Sequence, residues 1–117
     1  MLKLAKGFRG RAKNVISVAR RRTEKALQYQ YRDRRTKKRE FRTSWILSIN
    51  AGVRQFGLTY HTFMHGAVLS GLQLNRKILS DLSINEPYSF KSIADLVKKT
   101  LADARMDAHN ERLRCFK

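Results

Sequence analysis

The chain has 117 residues, with 26 Lys and Arg against 9 Asp and Glu and a formal net charge of +17. That length holds one compact domain at most. The single cysteine, Cys115, excludes an intramolecular disulfide and a CxxC zinc framework and fits a reducing compartment. No apolar run reaches the roughly eighteen residues of a helical membrane span.

The charge is concentrated at the start. Residues 1–42 hold 16 basic groups and three acids, Glu24, Asp33 and Glu40, whereas residues 43–117 hold 10 basic and six acidic groups. Between 31 and 42, in YRDRRTKKREFR, seven of twelve positions are Lys or Arg. From Arg11 to Phe56 there is no proline and only one glycine, Gly52, among residues of high helix propensity, which predicts one long helix. A continuous helix of that length would run for about 68 Å, more than a small core can cover.

Apolar residues are sparse before Arg42, but Trp45, Ile46, Ile49, Val53 and Phe56 recur at three and four and form a wide stripe. Gly57 is placed to end this helix and Thr59 to cap a second, with Tyr60, Phe63, Met64, Ala67, Val68 and Leu72 inward and Gly71 as its breaker. A third helix from about Asn75 turns Ile78, Leu79 and Leu82 inward. A fourth starts at the NEP of 85–87, with Phe90, Ile93, Leu96 and Val97 inward. No segment alternates as a strand does. The fold expected is all-α: a basic extension over 1–42, a small helical domain over 43–102 with Trp45, Ile49, Phe63, Ile78, Leu82 and Ile93 in its core, and a tail over 103–117. In that tail Asp103, Asp107 and Glu111 mark a solvated helix face or a frayed end.

Successive helical residues turn by about 100°, so Arg20, Arg21 and Arg22 sweep a wide arc, and Arg34, Arg35, Lys37, Lys38 and Arg39 cover the circumference. A helix on one face of a DNA duplex needs a single basic stripe. A helix threaded among packed RNA helices needs charge on every side. Arg34 with Lys38, Arg35 with Arg39, Lys38 with Arg42 and Arg21 with Lys25 are like-charge pairs at i,i+4, each disfavouring an isolated helix by about 0.2 to 0.5 kcal/mol, and Asp33 to Lys37 is the one clear relief. The free arm is therefore expected to be largely unstructured and to become helical as RNA neutralises it. Circular dichroism at low salt tests this, since an almost fully helical free chain refutes it. Tyr29, Tyr31 and Phe41 lie among the arginines, where they either stack on bases or pack on their own helix.

AKGFRGR at 5–11, YQYRDRRTKKREFR at 29–42, WILSINAG at 45–52 and LNRKILSDLSINEPYSF at 74–90 together resemble the bacterial-type large-subunit ribosomal protein L-twenty family, in order and with matching gaps. The resemblance implies a basic helical extension within large-subunit rRNA, a small helical C-terminal domain, a structural role beginning early in subunit assembly, and a place beside the L-twenty-one protein. It implies no cofactor, metal, small-molecule substrate or membrane. Candidate rRNA-binding residues are Lys3, Lys6, Arg9, Arg11, Lys13, Arg20, Arg21, Arg22, Lys25, Tyr29, Tyr31, Arg32, Arg34, Arg35, Lys37, Lys38, Arg39 and Arg42 on the arm, with Asn50, Arg54, Arg76 and Lys77 beyond it.

Three departures stand out. The family's opening basic segment before AKG is missing, Ser48 occupies the usual arginine of the WI-x-R-INA motif, and Ser44 replaces an aliphatic residue. Residues 1–23 contain no acid, the composition of a mitochondrial presequence as well as of an rRNA-binding arm. The shortened start and the NEPYSF wording resemble the mitochondrial branch, with chloroplast and bacterial cytoplasm as the alternatives.

Other chemistries find little footing. His61 and His65 have the spacing of a helical zinc pair, but the intervening residues lack the glutamate of HExxH and no third ligand is near in sequence. KGFRG at 6–10 lacks Walker spacing, GxSxG and GxGxxG are absent, and Cys115 reads as a free surface thiol, so an enzyme is not expected. A DNA-binding zipper fails because the stripe after Arg42 spans only about two heptads before Gly57. A membrane-active helix fails because residues 20–42 do not segregate charged from apolar faces.

Overall fold

The structure, a computed structural model, describes residues 1–115, apart from the side chains at 110, 112, 113 and 115. The expectation for Cys115 as a free surface thiol therefore lies outside the described residues. A 3-10 turn at Gly10–Lys13 precedes four α-helices, α1 (Ile16–Arg54), α2 (Tyr60–Leu69), α3 (Arg76–Asn85) and α4 (Pro87–Cys115). Among the described residues there is no strand, so the all-α expectation holds. The chain divides into two compact units, Met1–Phe41 and the residues from Arg42 onward.

In the first unit the backbone turns at Gly7 (φ +89°) and Gly10 (φ +61°), a region that costs other residues strain. The long helix starts later than Arg11, because the Asn14 and Val15 N–H groups both donate to the Arg11 carbonyl and close the 3-10 turn before the α-helical ladder opens with Ala19 N–H to Val15 O. Residues 7–12 lie against 18–29 of α1, and Ala5, Ala12, Ala19 and Thr23 are buried. The sequence reads this region as a bare arm. Folding back gives it a small apolar seat, and α1 is helical through the like-charge pairs that disfavour a helix in isolation.

The second unit is built on the end of α1 and on α2, α3 and α4, with α4 packed against both α2 and α3. Thr59 caps α2 in a capping box with Thr62, Asn75 caps α3 by accepting from the Ile78 N–H, and Pro87 opens α4. The core comprises Ile49, Val53, Phe63, Ala67, Leu79, Phe90, Ala94 and Val97. Of the core predicted from sequence, Ile49 and Phe63 are fully buried, Leu82 and Ile93 pack on its margin, and Trp45 and Ile78 lie outside it. With α3 starting at Arg76, its inward face centres on Leu79, and Ile78, one residue and about 100° away, is left 40% exposed. Val68 and Leu96 are exposed by the same displacement from a narrow buried row. Of the two readings of the tail, α4 takes the solvated helix face, running on past Ala102 with Asp103, Asp107 and Glu111 exposed.

Trp45 is half-buried. Its replacement by alanine is accordingly expected to cost about 1 to 2 kcal/mol, well short of a fully buried ring, which urea denaturation would measure.

Gly66 is where α2 and α4 come closest. A Cβ there would sit 2.6 Å from Val97 Cγ1 and 2.9 Å from Leu101 Cγ, and Val97 is fully buried and stiff at χ1. Gly66→Ala gains about 1 kcal/mol of helix propensity but incurs about 1 to 3 kcal/mol of overpacking. Its thermal midpoint should fall by several degrees, and an unchanged or raised midpoint would show that α4 yields.

Candidate nucleic-acid interface

The arm's cations stand exposed along the N-terminal segment and around α1, including Lys3, Lys6, Arg9, Arg11 and Lys13 before the helix and every candidate from Arg20 to Arg42 on it. Two of the arm's three acids are held by neighbouring arginines. Arg20 Nε donates to Glu24 at 2.9 Å and Arg32 Nε donates to Asp33 at 2.8 Å. Asp33 thus pairs with Arg32, where the sequence suggested Lys37. The hydrogen bond from Arg32 holds the Asp33 carboxyl below its ordinary range and raises the Arg32 guanidinium. The pair is therefore intact at neutral pH and is lost as pH falls through the lowered carboxyl value, and both partners are too exposed for it to add stability. Its effect is local: it fixes Arg32, whose guanidinium carbon lies 4.7 Å from the centre of the Tyr29 ring.

Both tyrosines of the arm carry cations over their rings. Lys25 Nζ lies 5.8 Å from the Tyr29 centroid, and Arg34 and Arg35 lie 5.9 and 5.5 Å from that of Tyr31. Arg35 Nη2 also donates to the Tyr31 hydroxyl at 3.2 Å. Such contacts orient the guanidinium forks without neutralising them. Tyr29 and Tyr31 stay about half exposed, 49% and 60%, so their edges and remaining face area are open to a ligand.

Beyond the arm the candidates divide. Asn50 Oδ1 accepts from Arg54 Nε at 3.3 Å, which puts these two on one exposed turn of α1. Lys77 is exposed, whereas half-buried Arg76 donates through Nε to the Tyr60 hydroxyl at 2.8 Å and ties the start of α3 to the start of α2. Arg76 is thus engaged within the fold, and Lys77 is the more available of the two. Ser48, in the usual arginine position, donates to the main-chain carbonyl of Ser44 one turn back at 3.2 Å, a bond within the helix that any residue at 44 would accept.

His61 and His65 line a concavity of about 310 Å³ between α2 and α4 together with Arg105, and among the described residues no carboxylate or thiol joins them there. Among the described residues no group of three or more His, Cys, Asp and Glu is placed to hold a metal. What the sequence did not disclose is a second concavity, of about 710 Å³, formed where residues 7–12 fold onto α1 and including Phe8, Val18 and Ala26 in its wall. Its only signal is the pair Gly7 and Gly10 in a segment otherwise read as linear.

The zipper alternative is closed by burial, because Ile49 and Val53 are fully enclosed in the unit's own core and cannot pair with a second chain. No helix among the described residues is long and apolar enough to cross a membrane.

The comparisons with known proteins agree with these features. The family model for Ribosomal protein L20 matches residues 1–93. The Large ribosomal subunit protein bL20 of Ehrlichia chaffeensis is 54% identical over 106 residues, 91% of this chain and 86% of that protein. The protein of the same name from the Wolbachia of Drosophila simulans is 54% identical over 103 residues, 88% of this chain and 85% of its own length. That of Erythrobacter litoralis is 55% identical over 101 residues, 86% of this chain and 85% of its own length. With an exposed polycationic helix, a small helical unit and identity sustained across both, the chain belongs to the ribosomal protein L20 family and is a structural, non-enzymatic ribosome component.

Proposed function

We propose that this chain is a structural constituent of the large ribosomal subunit that binds and stabilises large-subunit rRNA and supports subunit assembly. The observation that carries this is the exposure of cations on all sides of α1, with two of the arm's three acids already bound by Arg20 and Arg32. Charge in that arrangement neutralises phosphates arriving from several directions and releases their counterions. The arm's cations from Lys3 to Arg42 take phosphates, Tyr29 and Tyr31 stack on bases, and Asn50, Arg54 and Lys77 give the second unit its own RNA contact. Neighbouring large-subunit proteins, the L-twenty-one family among them, complete the surroundings.

The acid-free composition of residues 1–23 supports a place on the mitochondrial ribosome. The relatives named above are bacterial, and a bacterial cytoplasmic or a chloroplast ribosome is the alternative. A fluorescent fusion seen in plastids would overturn the mitochondrial assignment.

Sucrose-gradient fractionation of the source lysate tests the function. Co-migration with the large subunit should persist at moderately high salt and disappear after RNase digestion. A peak with DNA, or free at the top of the gradient, refutes the ribosomal role.

A further inference from the structure

We propose that the concavity between residues 7–12 and α1 is a socket for one extruded RNA nucleotide, its base against the Tyr29 ring and its phosphate on the surrounding cations. This rests on the rRNA-binding reading and sharpens it from charge neutralisation to recognition of an unpaired base.

The wall has two chemistries. Phe8, Ala12, Val18 and Ala26 supply carbon surface beside Tyr29, while Arg9, Arg11, Arg22 and Lys25 supply positive charge, and among the described residues no acid lines it. A phosphate alone gains nothing from an apolar wall, and a paired duplex keeps its bases inside the helix, out of reach of such a wall. A bulged or looped-out nucleotide presents both a base face and a phosphate, which is the form in which proteins recognise RNA bases. The volume of about 710 Å³ lies within the range of small-ligand pockets, about 300 to 1,000 Å³.

Three further concavities on the arm lack this combination. One is lined by Asp33 and Glu40 and another includes Asp33, and a third, at Val18, Arg21, Arg22 and Lys25, has no ring. In the free chain Lys25 lies over the Tyr29 ring, as does Arg32, which is not part of the socket wall. When a base takes that position, the ammonium moves to the nucleotide's phosphate, and one cation serves both states.

The probes are an RNA hairpin carrying one bulged 2-aminopurine and the same hairpin without the bulge, bound to the full chain at moderate salt and followed by anisotropy and 2-aminopurine emission. The wild-type chain should bind the bulged hairpin about tenfold more tightly and quench its emission. Tyr29→Ala removes the ring, and Ala26→Leu fills the socket while leaving every charge in place. Each should bring the two affinities together and abolish quenching, and Ala26→Leu should leave binding of the unbulged hairpin within about twofold of wild type, the change expected when base stacking is lost and phosphate contact is kept. Equal wild-type binding of both hairpins, or a preference that survives both substitutions, overturns the socket and leaves the rRNA-binding reading standing. Failure of the wild-type chain to bind either hairpin overturns both.

Discussion

Replacing Arg34, Arg35 and Arg39 together by alanine is expected to lower affinity for large-subunit rRNA about a hundredfold at physiological salt. Each phosphate contact contributes about 0.7 to 0.9 to the slope of log affinity against log salt, so three lost contacts flatten the slope by about 2 to 3. The loss should fall evenly on RNAs of different sequence, as phosphate contacts carry no base information. Folding does not confound the result. All three side chains are exposed on α1, alanine is the best helix former, and relief of the repulsion between Arg35 and Arg39 offsets the lost contacts of Arg34 and Arg35 with Tyr31. The free variant should therefore be at least as helical as wild type by circular dichroism while binding far less RNA. An unchanged salt slope would show that phosphate does not reach this part of the arm.

Phe63→Ala should have the opposite profile. Phe63 is fully buried, with its ring centroid 5.8 Å from that of Phe90 at an interplanar angle of 39°. Truncating such a ring costs about 3 to 5 kcal/mol, comparable with the whole stability of a small domain, about 5 kcal/mol at the low end. The variant is expected to lose its cooperative thermal transition while keeping its salt-dependent attraction to RNA, because no arm cation is touched. A cooperative transition within a few degrees of wild type would show that the second unit derives its stability elsewhere.

Much of this organisation is legible in the sequence because it rests on local signals. Thr59, Asn75 and Pro87 announce helix starts through side-chain or ring chemistry, and the structure uses all three. Periodicity finds Ile49, Phe63, Phe90 and Val97. It fails by one residue at Ile78 and at Val68 and Leu96, because a short helix in a small unit buries a stripe narrower than its apolar face, and which edge is left out depends on the partner helix. The exposed cations are likewise evident from composition. The concavity at Tyr29 is not, since it exists only once residues 7–12 fold back, a tertiary event whose local trace is two glycines. The pairing of Arg76 with Tyr60 joins residues sixteen apart and leaves no periodic mark.

Gly52 and Gly66 show how a unit this small becomes exact in shape. At Gly52 a Cβ would stand 2.9 Å from Phe90 Cε1, as at Gly66 it would meet Val97. At both points a neighbouring side chain rests directly on main chain, with no intervening rotamer to adjust. Main chain has no alternative packing to hop into, so the spacing of α1, α2 and α4 is gauged by the peptide backbone itself. Within this unit exposed Arg54, at the end of α1, is carried on such a frame, which suits a component that must fit an RNA scaffold the same way in every copy assembled.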